Sequence, residues 1–142
     1  MISEKVVAHC DWYIYDSEGR QIMGPVENSI TSQGLAAIAA GLSAVPAPYL
    51  VVGDDAAAYP AITEVFRKAV SSVVWAANVV RFRTSLSSSE CNGDHTKACI
   101  YSGATAVAGT GAMLNMLVQD WSKATSEVIT VEARFTISGG VG

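Results

Sequence analysis

The sequence predicts a mainly β domain, a β-sandwich or jelly roll of about eight strands with one helix in the N-terminal half. Three observations predict this fold. Several segments alternate apolar and polar residues with a period of two. Turn signals separate these segments about every ten residues, which is typical of sandwiches and barrels. A single stretch carries helical periodicity, and an apolar run follows it.

The helix is predicted over residues 31–42. Thr31 is a suitable N-cap, because its hydroxyl can accept a hydrogen bond from an amide of the first turn. Gly41 and the prolines Pro46 and Pro48 end the helix. Residues 49–52 then form a continuous apolar run, which predicts a strand buried on both faces. The apolar stripe of the helix has the spacing i, i+3, i+4 and i+7 and consists of Leu35, Ile38, Ala39 and Leu42.

Residues 4–16 alternate along their whole length and predict one long strand. After a turn at 16–19, residues 21–23 predict a short return strand. The segment 63–70 permits either a helical turn or an irregular edge segment. The buried face of the long strand is predicted to contain Val6, Ala8, Cys10, Trp12 and Ile14.

The second half of the chain predicts a hairpin and three further strands. The hairpin joins residues 72–75 and 79–86, with Val80, Phe82 and Leu86 facing inward. The further strands cover residues 96–101, 113–118 and 127–137, and a flexible tail covers 138–142. In the second of them one side is predicted to hold Leu114, Met116 and Val118. The inward residues of the last strand are Ile129, Val131, Ala133, Phe135 and Ile137.

The composition favours one domain, residues 1–142, that buries surface against partners. Half of the residues are hydrophobic and only 15% are charged, which is low for a lone soluble monomer. The net charge of −4 argues against nucleic-acid binding. Residues 34–53 carry no charge, but Pro46 and Pro48 would break a membrane-spanning helix, so no membrane association is expected. Glu4 and Lys5 interrupt any signal peptide, which predicts assembly in the cytoplasm.

Three residues have the spacing of possible metal ligands: Cys91, His95 and Cys99, with His9 and Cys10 as further candidates. Zinc sites usually combine two close ligand pairs, and this spacing is looser. The spacing favours a buried Cys99, with Cys91 and His95 as a cysteine and a histidine of a loop. Two alternatives remain, namely a Cys91–Cys99 disulfide around the Asn92-Gly93 turn and a Cys–His nucleophile pair.

Other candidate motifs favour structural roles. Asp54 and Asp55 are more typical of a solvated turn than of an acid–base pair. The Gly109-Thr110-Gly111 segment lacks the lysine and the following helix of a phosphate loop. We therefore predict no catalytic residue, no metal ligand, no cofactor and no enzymatic activity.

Four outward residues are candidates for a partner interface, because Tyr and Arg are enriched in interfaces. Ordinary surface positions are the alternative interpretation. The four residues are Tyr13, Tyr15, Arg81 and Arg83.

An ordered set of motifs spans nearly the whole chain. These motifs are NSIT-x-x-GL at 28–35, YLVVG at 49–53, TEVFRKA at 63–69, ECNG at 90–93, AGTG at 108–111 and ITVEARFTI at 129–137. Together they resemble a family of small tailed-bacteriophage virion proteins. Members of this family occur as short structural proteins and as domains of tail-fibre or tail-collar chains.

The resemblance implies a non-enzymatic virion protein. The segment at 97–101 reads KACIY, whereas tail-fibre members carry a Glu-Ile-Gly-Leu-Phe-like run there, and 142 residues leave no room for a fibre shaft. The chain is therefore more similar to capsid decoration (cement) proteins, which implies a dimer or trimer on the capsid exterior that binds major capsid protein. The alternatives are a tail, baseplate or tail-fibre component and a jelly-roll carbohydrate or receptor binder, in which Trp12 and Trp121 would be the aromatic residues to examine.

Overall fold

The computed structural model describes residues 2–8, 10–28 and 30–139; at 2–5, 10–12, 14, 27 and 28 it describes the backbone alone. This part of the chain is mainly β, with ten strands and one helix, and it confirms the predicted β-sandwich with one helix. In chain order the elements are β1 (Ile2–Ala8), β2 (Cys10–Tyr15), β3 (Gln21–Asn28), α1 (Ser32–Ser43), β4 (Tyr49–Gly53), β5 (Glu64–Ala69), β6 (Ser72–Ala76), β7 (Val79–Leu86), β8 (Gly93–Ser102), β9 (Ala112–Lys123) and β10 (Ile129–Gly139).

The strands form three sheets. Sheet I has the order β1-β10-β7-β6, and sheet II has the order β5-β4-β8-β9. Strands β2 and β3 form a separate two-stranded sheet, which we call the arm. All pairs are antiparallel except β1 with β10, which is parallel and runs from Ile2 opposite Ala133 to Ala8 opposite Gly139.

The main core lies between sheets I and II. The predicted inward residues of β7 (Val80, Phe82 and Leu86) are fully buried, and Phe82 packs edge-on against Phe135 of β10 with ring centroids 5.6 Å apart. Sheet II contributes its own buried residues, among them Leu50. The period of two in β7 and β10 is therefore the pattern of one buried face.

Helix α1 begins where the sequence predicts. The Thr31 hydroxyl accepts a hydrogen bond from the Gly34 amide at 3.1 Å. The helix packs on β6, β7 and β10, with Ala39 fully buried in the core. Ile38 is 41% exposed, so the predicted stripe is wrong at that position, because the contact with sheet I is narrower than the stripe. No described helix is long and apolar enough to cross a membrane.

Strand β4 is buried on both faces, as predicted. Its inner face meets the core, and its outer face joins a second apolar cluster that includes Val51, Cys99 and Tyr101. Ile62 and Ala104, from the loops at 54–63 and 103–111, pack in this cluster. The two loops therefore cover the outer face of sheet II.

The long strand predicted at 4–16 is wrong in one respect, because it is divided between β1 in sheet I and β2 in the arm. Alternation cannot reveal such a division, since it continues while the hydrogen-bonding partner changes. Val6 and Ala8 pack against the core as predicted, but the side chains of Cys10, Trp12 and Ile14 lie outside the described residues.

Three more predictions change in detail. The segment 63–70 contains the edge strand β5, which decides between the two alternatives. Strand β9 is longer than predicted, and its register slips where Ile100 pairs with Asn115 and Tyr101 with Met113. This bulge breaks the alternation, so Leu114 packs in the main core and Met116 in the second cluster. Of the predicted tail, 138–139 belong to β10 and 140–142 lie outside the described residues.

Candidate functional site

The structure brings a thiol, an imidazole and a carboxylate together at one end of sheet II. Cys91 Sγ lies 3.4 Å from His95 Nε2, and His95 Nδ1 lies 2.9 Å from Asp54 Oδ1. Asp54 directly follows β4, and His95 lies in β8 beside it, so the sheet itself positions both groups. These contacts are the geometry that the alternative of a Cys–His nucleophile pair would require.

The environment of Cys91 opposes nucleophilic chemistry. Burial raises the pKa of the Cys91 thiol to about 11, so the thiol is protonated at neutral pH. His95 Nε2 is also 2.9 Å from the Cys91 carbonyl oxygen. The Cys91 carbonyl can only accept a hydrogen bond, so it competes with the thiol for His95 Nε2. The cluster therefore closes a turn around a protonated thiol.

That turn has further anchors. Cys91 has a positive φ of 54° and Gly93 one of 108°, and the Asn92 amide donates to the Ser88 carbonyl at 2.9 Å. Lys123, only 2% exposed, donates to Asn92 Oδ1 at 2.6 Å. A buried ammonium needs such acceptors, so Lys123 is committed to holding the turn.

Cys91 and Cys99 are both free thiols, which rules out the predicted alternative of a disulfide between them. Cys91 faces the core between the sheets, whereas Cys99 faces the second cluster on the other side of sheet II. For the same reason Cys99 cannot join Cys91 and His95 as a ligand. No group of three or more His, Cys, Asp or Glu residues within the described ranges could hold a metal ion. His9 and the Cys10 side chain lie outside those ranges.

Asp55 is not the solvated turn residue that the sequence favours. The fully buried Lys97 donates to Asp55 Oδ2 at 2.7 Å and to the Ala61 carbonyl at 2.7 Å. Asp55 Oδ1 accepts from the Thr63 amide at 2.7 Å. The hydrogen bond from Lys97, followed by that from Thr63, lowers the pKa of Asp55 to about 2. Asp55 and Lys97 thus fasten the loop at 54–63 onto sheet II.

The glycine-rich segment at 109–111 is fastened in the same way. Arg67 forms an ion pair with Glu64 and also donates to the Thr110 carbonyl at 3.1 Å. The Gly109 amide donates to Glu64 at 3.2 Å. The hydrogen bond from Arg67 lowers the pKa of Glu64. This segment therefore binds internal groups of the protein.

An open depression of about 520 Å³ lies beside His95. Trp121 stands in its wall with its ring 4.8 Å from the His95 ring, and its indole nitrogen donates to the Lys97 carbonyl at 3.3 Å. Trp121 is thus half-buried and engaged in the body of the domain, unlike an exposed platform for stacking a sugar. The polar residues of the depression are Asp54, Asp94, Thr96, Asp120 and Ser122.

The four predicted interface residues lie on two different sheets. Tyr13 and Tyr15 lie on the arm, 45% and 56% exposed, with their rings stacked at 6.3 Å. Arg81 and Arg83 lie on β7 in sheet I. The sequence pattern predicts all four residues as outward, and the structure places them on two separate surfaces.

The outer face of sheet I is basic. Arg81 lies directly opposite Arg134, and Arg83 lies opposite Glu132. Glu132 accepts hydrogen bonds from Arg83 at 2.7 Å and from Arg134 at 2.7 Å. Burial alone would raise the pKa of Glu132, but these two hydrogen bonds outweigh burial and lower it. Arg81 forms no ion pair within the described ranges, so three cations face one carboxylate. We call this surface the basic face.

Sequence reasoning identified Arg134 as outward but missed it as an interface residue. Its importance comes from the register that places it beside Arg81. Strand register between distant segments leaves no local signal in one sequence. A scan of the chain against protein-family models and a search of curated proteins found no match.

Proposed function

We propose that this chain is a non-enzymatic structural protein of a tailed-bacteriophage virion, a capsid decoration protein that binds assembled major capsid protein on the capsid exterior. The ordered motifs described above support the virion assignment. The buried Cys91 thiol, with its raised pKa, supports a non-enzymatic role.

The basic face is the observation that carries the binding role. Like charges directly opposite one another destabilise a sheet, so folding does not account for Arg81 facing Arg134. The chain as a whole carries a net charge of −4. Elsewhere, the exposed Arg20 and the partly buried Lys68 are each paired with a carboxylate. The unbalanced charge of the basic face suits an acidic surface on a partner protein.

Binding to the assembled lattice alone would stabilise the shell by mass action. A partner that binds one state and not the other stabilises that state by about 2.7 kcal/mol when its free concentration is 100 times Kd. No reaction is needed for this mechanism. Tyrosine and arginine at the contact surface match the residues that interfaces favour.

A sedimentation experiment tests the proposal. Purified chain is mixed with expanded capsids that lack it, and separately with tails from the same phage. We expect co-sedimentation with capsids at a copy number comparable with that of major capsid protein, weakened by salt. Binding to tails alone would make the chain a tail component, and binding to neither particle would contradict the virion assignment.

A matched pair of variants tests the basic face. Arg81→Gln removes the unpaired cation, and we expect capsid affinity about tenfold lower, equivalent to about 1.4 kcal/mol. Lys68→Gln removes one positive charge on β5 of sheet II and should leave affinity unchanged. Equal losses in both variants would indicate a general charge effect and would contradict a specific basic face.

A further inference from the structure

Two neighbouring rows of residues on the basic face differ in their charge balance. One row crosses sheet I from β10 to β6 and contains Glu132, Arg83 and Ser72, in which the glutamate pairs with the arginine. The next row, two residues along, crosses from β1 to β6 and contains Ser3, Arg134, Arg81 and Val74. This second row therefore carries two positive charges and no negative charge. We call it the arginine row.

The arginine row has hydrogen-bond donors to spare. Each arginine side chain has five N–H donors in a fixed planar arrangement. Arg134 directs two of them, on Nε and Nη2, to one oxygen of Glu132. Arg81 makes no hydrogen bond through its side chain to any residue that the structure describes. The two residues are directly opposite each other, so their Cβ atoms are about 5 Å apart and both side chains can reach one small anion.

The surroundings of Arg81 leave its outer side accessible. Its neighbour on the edge strand β6 is Val74, which is 45% exposed and points to the same side of the sheet. The residue that pairs with Arg134 on β1 is Ser3, which has no charge. The strand pairing therefore brings no carboxylate into the arginine row from either side.

We propose that the arginine row binds a carboxylate from an Asp or Glu side chain of the partner protein, in the way that Arg83 and Arg134 bind Glu132. This inference rests on the proposed function and specifies the chemical group that the capsid presents. Arginine suits a carboxylate because its planar group can donate two parallel hydrogen bonds to it. A nucleic acid suits the surface less well, because it would bring many phosphates to a chain whose net charge is −4.

A carboxylate introduced into the chain itself tests whether Arg81 lacks a partner. Val74→Glu places a carboxylate directly opposite Arg81 on the same face of the sheet. We expect this variant to melt about 1–3 °C above Val74→Gln, because opposite charges across neighbouring strands stabilise a sheet. The difference should disappear when Arg81→Gln is added to both variants. Equal melting temperatures in the first pair, or a difference that persists without Arg81, would contradict the inference.

The same variants test the binding of capsids. In Val74→Glu the new carboxylate occupies Arg81, so we expect capsid affinity about tenfold below that of Val74→Gln. Val65→Glu is the matched control, because Val65 is 48% exposed on β5 of sheet II and the substitution is the same. Its affinity should stay within about twofold of the unchanged chain. Equal losses in Val74→Glu and Val65→Glu would contradict the arginine row, as would unchanged affinity in Val74→Glu.

A ligand other than the capsid separates this inference from the proposed function. A short poly-glutamate peptide is added to isotope-labelled chain, and polyphosphate of the same total charge is the comparison. We expect the Nε–H resonances of Arg81 and Arg134 to shift more with poly-glutamate than with polyphosphate, and to shift less in Val74→Glu. A larger response to polyphosphate, or no response to either ligand, would contradict the carboxylate site. A response to poly-glutamate without any binding to capsids would contradict the proposed function alone.

Discussion

Charged and aromatic residues occur both in sheet II and on the outer surface formed by sheet I and the arm, but their surroundings differ. In sheet II, cations and carboxylates pair under the covering loops, as Lys97 does with Asp55. On the basic face, Arg81 has no such partner within the described ranges, and on the arm Tyr13 and Tyr15 are exposed. Sheet II is covered on both faces, whereas sheet I packs against the main core with one face.

This difference separates structure from binding. Cys91 and His95, which the sequence marks as candidates for chemistry, are buried and support a turn, and the exposed Asp54 binds His95 beside it. The plain alternating strands provide the exposed surfaces. Polar residues in the covered region hold the fold together, so substitutions there should change the free energy of unfolding. Substitutions on the outer surface should change the binding of partners.

The largest expected effect is on the covered region. Leu50→Ala in β4 removes a fully buried side chain between the sheets, and we expect a loss of about 3 kcal/mol in the free energy of unfolding. Val74→Ala, 45% exposed on β6, should change it by less than about 0.5 kcal/mol. Chemical denaturation measures both. Similar losses in the two variants would remove the contrast between the regions.

The next effect is on thiol reactivity. Because the pKa of Cys91 is raised from 9.0 to about 11, its thiolate fraction at pH 8 should be about 100-fold lower than that of an ordinary cysteine. We expect correspondingly slow alkylation of the native protein by iodoacetamide, measured by peptide mapping, and normal alkylation in denaturant. Rapid modification of Cys91 at pH 7 would instead indicate an activated nucleophile.

A smaller effect is expected from acid. The pKa of Asp55 is about 2 in the folded chain against an ordinary 3.8, so the folded state binds fewer protons than the unfolded state. Its contribution to stability is present above about pH 4 and is lost as the pH falls to about 2. Melting temperatures across this range should fall, and Asp55→Asn should flatten the fall. Glu18→Gln in the exposed turn of the arm is the control. An unchanged slope in Asp55→Asn would contradict the role of the Asp55–Lys97 pair.

Local patterns were enough for much of the fold. The capped helix, the doubly buried β4 and the inward faces of β7 and β10 were all predictable, because they depend on neighbours within one element. The division of 4–16 between β1 and β2 was not, since both halves alternate alike. The pairing of Asp55 with Lys97 was also hidden, because 42 residues separate them in the chain.

The sequence by itself determined the mainly β class, the position of the helix and the facing of its clearest strands, since spacing and capping are local. The tertiary structure decided which strands pair, that Cys91 and Cys99 face opposite sides of sheet II, and that Arg81 meets Arg134. The physical reason is that register and burial arise from contacts between distant segments. The alternation within one strand shows which of its faces is buried, but it does not identify the strand that pairs with it.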